Sequence, residues 1–169
     1  MEVTENNLYW AKVKENAIIP TKIDENAGYD VYACFDEDYM MIKPHETVLV
    51  PTGIASAVSS DYYLQVHERG STGSKGIKCS AGVIDSGYRG EIFIAITNAN
   101  NIPVYITKDG GKRIDIYPYT DAILYSYDKA IAQIIVHNVP AMNAQEITYE
   151  DLQLFDSDRN DGSLGSTNK

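Results

Sequence analysis

The feature that most constrains this chain is the brevity of its apolar runs. Apolar residues alternate or cluster briefly in "ETVLVPTGIASAV", "YYLQVHE", "EIFIAITN", "IPVYIT", "DAILYSY" and "IAQIIVHNV". Turn signals interrupt them at "NAG", "KPHE", "SSD", "NANN" and "KDGGK". Runs rich in Val, Ile and Tyr with such punctuation predict strands, and many short strands predict an all-β barrel or sandwich. No long segment with a 3.6-residue period competes; "ITYEDLQLF" (147–155) is compatible with a turn or two of helix or with another strand.

With 169 residues, 44% of them hydrophobic and 22% charged, the chain supports one ordinary core. The expected organisation is one β domain over 1–155 and a flexible tail over 156–169, where "DSDRNDGSLGSTNK" is almost free of apolar residues. Cys34 and Cys79 are far apart and fit no metal or redox spacing, so they read as free thiols of a reducing, cytoplasmic compartment. No apolar run reaches the roughly 18 residues of a membrane helix, so no membrane partner is expected. A net charge of -10 opposes binding to a nucleic acid polymer but leaves room for a single nucleotide carrying a metal ion. His45, His67 and His137 stand apart from one another and from the cysteines, which argues against a metal cluster.

The polar stretch "HERGSTGSKGIKCSAGVIDSGYRGEI" (67–92) is too turn-rich to be simple core. Gly70, Gly73 and Gly76, interleaved with Ser71, Thr72, Ser74 and Lys75, supply backbone N–H groups, hydroxyls and an ammonium, which suit either an anion cradle or a plain surface loop. Lys75 is expected to serve phosphate charge. Next, Gly82-Val83-Ile84 is expected to form a hairpin arm, Asp85-Ser86-Gly87 the turn, and Tyr88 the start of the return. Asp85 there could take a proton from water or merely cap an Asx-turn.

Five segments, "AGYDVYA" (27–33), "RGSTGSKG" (69–76), "AGVIDSGYRG" (81–90), "AIAQI" (130–134) and "RNDGSLGST" (159–167), follow the order and rough spacing of the five motifs of the trimeric dUTP pyrophosphatases. The chain resembles that family over nearly its whole length. The resemblance implies a jelly-roll β-barrel, a homotrimer with active sites shared between subunits, a mobile C-terminal lid, and Mg²⁺-dependent hydrolysis of dUTP to dUMP and pyrophosphate. By position, Asp85 matches the base that activates the attacking water. Tyr88 matches the aromatic that excludes a 2′-hydroxyl, and the segment Cys79 to Gly82, Val83 and Ile84 matches the hairpin that pairs with uracil. Arg69, Gly70, Ser71, Thr72 and Gly73 fall in the phosphate-binding second motif, and Gln133 matches a phosphate-contacting glutamine. Asp30 falls near the metal and would act on Mg²⁺ through water. Arg159, Leu164, Gly165, Ser166 and Thr167 fall in the closing tail.

The chain departs from the family pattern in places. Gly70 follows Arg69 where Ser is usual, Ala130 stands where the fourth motif usually has a basic residue, and Leu164 replaces a frequent Phe. Two alternatives share the fold. A dCTP deaminase would need an acid at the position of Ala95, which cannot move protons; a regulatory binding protein would keep the fold with weak catalysis. Between Asn98 and Gln133 the chain is longer than ordinary cellular members, an insertion over about 99–130 whose "VYIT", "RIDIYPY" and "AILYSY" suggest added strands. Members encoded by bacteriophages carry an insertion here, so the resemblance extends to a phage-borne protein acting in the host cytoplasm. The insertion is then either a contact surface for a regulatory protein or an extension of the barrel, and as an appendage it should be replaceable over 108–125 by a short turn.

Overall fold

A computed structural model describes residues 3–4 and 6–157. These residues are almost entirely β. In chain order the strands are β1 (Leu8–Lys12), β2 (Tyr29–Val31), β3 (Tyr39–Ile42), β4 (Thr47–Pro51), β5 (Ile54–Val58) and β6 (Tyr62–His67). A helical turn, α1 (Gly70–Gly73), precedes β7 (Ile77–Ser80), β8 (Val83–Ile84), β9 (Phe93–Asn98), β10 (Val104–Thr107), β11 (Ile123–Ser126) and β12 (Ala132–Asn138). A last turn, α2, spans Tyr149–Leu152. The strands form a jelly-roll barrel of small sheets ordered β1-β5, β11-β10-β3, β2-β12-β6-β8 and β4-β9-β7.

Alternation explains how the barrel closes. Along β6, Leu64 and Val66 are buried while Tyr63, Gln65 and His67 face outward, as expected of a half-buried strand. The core gathers Ile42, Ile54, Leu64, Ile94, Ile96, Ile131 and Ile134. Asn98 is fully buried, and its side-chain amide donates to the carbonyls of Ile42, Lys43 and Ile102, which would otherwise be orphaned where the chain leaves β9.

The long segment after Asn98 is part of this barrel. β10 is buried at every position, pairs antiparallel with β3 and parallel with β11, and Tyr125 of β11 lies in the core. Parallel strands cannot be joined by a tight turn, because the chain must return to the starting end of its neighbour; residues 108–122 make that return. "RIDIYPY" is not a strand. Gly110 and Gly111 have positive φ, Asp115 turns back to accept from Tyr117 N at 3.0 Å, and Pro118 has no N–H for a ladder. Lys108 pins the return to the body, donating to the carbonyls of Phe35 (2.7 Å) and Asp36 (3.0 Å) beneath the Phe35 and Tyr127 rings. The segment is therefore architectural, which weighs against the expectation that a short turn could replace 108–125.

The expected hairpin around Asp85 also takes another form. β8 pairs with β6, while the chain that returns past Tyr88 becomes β9 and pairs with β4 and β7, so the two arms belong to different sheets. The chain after Asp85 stays irregular until β9, closed by Tyr88 N donating to Asp85 O at 3.0 Å. The reason lies in Gly82, whose carbonyl accepts Val66 N at 2.8 Å, so that the first arm is captured by β6.

The chain divides into two compact units, Met1–Val139 and Pro140–Lys169. In the second, "ITYEDLQLF" resolves to helix rather than strand: Thr148 caps α2 by accepting from Asp151 N at 3.0 Å. Ile147, Leu154 and Phe155 flank it with exposed apolar side chains. No helix among the described residues is long and apolar enough to cross a membrane.

Candidate active site

The motif residues gather in two places. The first is an open cleft of about 260 Å³ lined by Ala81, Val83, Ile84, Asp85, Tyr88, Glu91, Ile92 and Phe93. One wall is a slot along the bare edge of β8, which ends its sheet. Backbone donors and acceptors on such an edge can read the rim of a planar base as a neighbouring strand would. Gly82 is required there: a Cβ would stand 2.6 Å from Gln65 Nε2 and 2.8 Å from Val66 O. Ala81, the corner between the arms, sits at φ 50, a strained backbone of the kind that collects at functional sites.

Within the cleft the two carboxylates differ. Glu91 is engaged, accepting Gly53 N at 2.8 Å. Asp85 is exposed, and its carboxylate takes part in no hydrogen bond or ion pair among the described residues, so it is available to a water or a ligand. Tyr88 is held in one pose by its hydroxyl, which donates to Glu91 O at 2.9 Å, and it folds over Gly90. A Cβ at Gly90 would meet the Tyr88 hydroxyl at 2.5 Å. Gly90, two residues on from Tyr88, therefore leaves the room in which the Tyr88 ring lies.

The second place is the far end of the same sheet. Register sets Asp30 of β2 opposite Gln133 of β12, and Gln133 opposite His67 of β6. Just beyond His67, Arg69 forms a forked ion pair with Asp30, Nε to Oδ1 at 2.9 Å and Nη2 to Oδ2 at 3.2 Å. Its remaining nitrogen reaches Ala130 O at 3.3 Å. Gln133 Nε2 donates to Glu68 O at 2.8 Å, and the bare face of Gly28 makes room for the Gln133 side chain. Thus the first, second and fourth motifs are brought together by three neighbouring strands.

The glycine-rich loop is ordered rather than open. Thr72 is buried, and its hydroxyl accepts Arg69 N and donates to Arg69 O, both at 3.0 Å, so it braces the loop instead of facing outward. Gly70 and Ser71 are exposed, and nothing lies within 4 Å of a Cβ at Gly70, so crowding does not exclude the usual Ser. Lys75, expected to serve phosphate, places its ammonium over the Tyr125 ring at 5.7 Å. Cys79, expected on the uracil edge, has its N–H taken by Glu68 Oε1 at 3.0 Å. That bond, above all, holds the Glu68 carboxyl below its ordinary range, while burial pushes the Cys79 thiol up to about 12. Arg159, Leu164, Gly165, Ser166 and Thr167 lie outside the described residues.

The two places do not meet within one chain. Ile84 pairs with Leu64, which puts Asp85 level with Tyr63, six residues along β6 from Arg69. At about 3.3 Å per residue that is on the order of 20 Å. Among the described residues, no Lys or Arg lines the cleft that holds Asp85.

Among the described residues, no three His, Cys, Asp or Glu cluster to hold a metal by themselves. Mg²⁺ does not require that, since it keeps several waters and binds through one or two carboxylates plus substrate phosphates. The half-buried Asp30 fits such an ion through water, its oxygens being already paired with Arg69.

The model of the dUTPase family matches residues 14–115. A deoxyuridine 5′-triphosphate nucleotidohydrolase of Nautilia profundicola is 32% identical over 94% of this chain and 96% of its own length. One from Wolbachia pipientis is 33% identical over 86% and 82%. Among solved structures, the Staphylococcus bacteriophage 80alpha dUTPase with dUPNHPP aligns with a TM-score of 0.72 at 19% identity, covering 97% of this chain and 99% of that one. A variant dUTPase from phage phi11 of S. aureus, described with a coordinated structural Mg(II) ion, aligns with a TM-score of 0.65 at 21% identity over 86% and 99%.

Proposed function

The chain belongs to the dUTPase family, and from that premise we propose that it hydrolyses dUTP to dUMP and pyrophosphate with Asp85 as the base. The observation that carries this reading is the unengaged carboxylate of Asp85 in a cleft it shares with Tyr88 and the bare edge of β8. A water held by Asp85 loses its proton to the carboxylate as it attacks the α-phosphorus. Uracil enters the slot and pairs with backbone at Ala81, Gly82 and Val83; cytosine is rejected because its exchanged donor and acceptor would leave those groups unpaired. Tyr88, braced by Glu91 O and Gly90, lies against the deoxyribose and closes the space a 2′-hydroxyl would need. When bound, Mg²⁺ offsets charge on the phosphates.

A triphosphate carries several negative charges, and among the described residues the Asp85 cleft offers it no cation. Arg69 and Gln133, on the order of 20 Å away in the same chain, serve a nucleotide seated in the cleft of another copy, and this supports a homotrimer with shared sites. Deamination of dCTP is disfavoured: Ala95, in β9, is a buried alanine with no proton to move.

The test has two arms. Purified protein incubated with each deoxynucleoside triphosphate and Mg²⁺ should release pyrophosphate from dUTP alone; ammonia from dCTP, or no reaction, would sink the reading. Asp85→Asn and Arg69→Ala, each inactive alone, should recover activity when unfolded and refolded together, because some mixed sites then draw both intact residues. A mixture that stays inactive while wild type is active would confine each site to one chain.

A further inference from the structure

Ala130 replaces the fourth motif's usual basic residue, and its carbonyl has become a junction. Arg69 reaches that carbonyl with Nη1 at 3.3 Å, and Tyr125 donates its hydroxyl to the same oxygen at 2.7 Å. Tyr125 and Ala130 are both buried, so the carbonyl would be poorly satisfied without the tyrosine. The same ring underlies the Lys75 ammonium at 5.7 Å. Lys75 is itself fastened through its carbonyl, which accepts from Asn100 Nδ2 at 2.8 Å. One side chain, on a strand of the segment that distinguishes this chain, therefore touches the anchor of Arg69 and the cation of the glycine-rich loop.

We propose that Tyr125 is a positioning residue for the phosphate-binding side of the site, fixing the Ala130 carbonyl that orients Arg69 and holding Lys75 beside it. This rests on the dUTPase reading for the identity of the ligand, but not for the geometry. A guanidinium whose fork faces Asp30 and whose third nitrogen is pinned has one orientation; without the pin it can swing about the Asp30 contact and lose bidentate aim at a phosphate. The sequence carries no local sign of this role, since Tyr125 is 56 positions from Arg69 and looks like one more half-buried strand tyrosine.

The decisive substitution is Tyr125→Phe, which keeps the ring, its packing and the Lys75 contact while deleting the hydroxyl. The expected result is a rise of about three- to tenfold in the Kd for inorganic tripolyphosphate and in the KM for dUTP, the scale of one lost hydrogen bond, with the Kd for dUMP unchanged. In an Arg69→Lys background the same substitution should have little further effect, because the residue acts through Arg69. Equal losses in both backgrounds, equal weakening of dUMP, or no change in tripolyphosphate binding would overturn the role. Tripolyphosphate binding reads the positioning even if wild type fails to hydrolyse dUTP, an outcome that would sink the dUTPase reading by itself.

Discussion

Arg69 and Asp30 face each other fork to fork, 2.9 and 3.2 Å apart, each about a third exposed, and so tie the loop after β6 to the strand two places across the sheet. Asp30→Asn removes the charge but keeps the shape. It should lower Tm by a few degrees, as expected for loss of about 1 kcal/mol from a partly exposed pair, and raise the KM for dUTP several-fold as Arg69 loses its aim. A thermal melt and a saturation curve check both; a lowered Tm with an unmoved KM would make the pair purely structural.

Asp85→Asn should leave Tm and dUTP affinity close to wild type, because the side chain has no partner to lose. Turnover should fall by about 10²- to 10⁴-fold, the usual scale for loss of a general base. Single-turnover kinetics at saturating dUTP make the measurement, and a residual rate within threefold of wild type would remove Asp85 from the mechanism.

Tyr88 and Gly90 should fail together. Tyr88→Ala removes the ring, and Gly90→Ala displaces it, since the new methyl would sit 2.5 Å from its hydroxyl. Both should narrow the ratio of kcat/KM for dUTP over UTP. If Gly90→Ala preserves the wild-type ratio, the ring tolerates the methyl and its bracing is incidental.

Glu68, held by the Cys79 N–H, and Cys79, shifted by burial of its thiol, give stability two pH limits. Glu68 titrates below its ordinary 4.5 in the folded chain, so its contribution is present above that value and drains away as pH falls through the lowered one. Cys79 keeps its proton to about 12 when folded but loses it near 9.0 when unfolded, so stability falls as pH climbs between those values. Glu68→Gln should flatten the acid side of a Tm–pH profile and Cys79→Ala the alkaline side. Profiles of both variants that run parallel to wild type would assign the limits to other groups.

Shortening the return between β10 and β11 should be costly. Replacing 108–125 by a Gly-containing turn removes Ile123 and Tyr125 from the core and asks a tight turn to join parallel strands, so the product should be insoluble or molten. Circular dichroism and size-exclusion of the soluble fraction decide it; a folded, active deletion variant would mean that β11 is dispensable.

Much of this was legible in the sequence because it is local. Alternation located the strands, and "AGVIDSGYRG" located Asp85, Gly82 and Tyr88 in one loop. What escaped depends on pairing between distant segments. "RIDIYPY" alternates like a strand, but Asp115, Pro118 and two glycines make turns of it. Nothing near Val83 announces that β8 would join β6 instead of β7, a choice made by Gly82 lying against Val66. Thr72 and Cys79 have chemistry suited to a ligand, yet the Thr72 hydroxyl serves the Arg69 backbone three residues back and the Cys79 N–H is taken by Glu68, while the Lys75–Tyr125 contact joins segments that no local pattern pairs.

The slot along the edge of β8 has a practical side. An unsealed strand edge, flanked by an exposed Val83, invites the edges of other molecules as readily as a base, and concentrated ligand-free protein should be prone to aggregation through it. A nucleotide in the slot acts as a stopper. Storage with dUMP should then slow the growth of light scattering over time, by occupancy of the native state and by covering the edge, without any change to the chain.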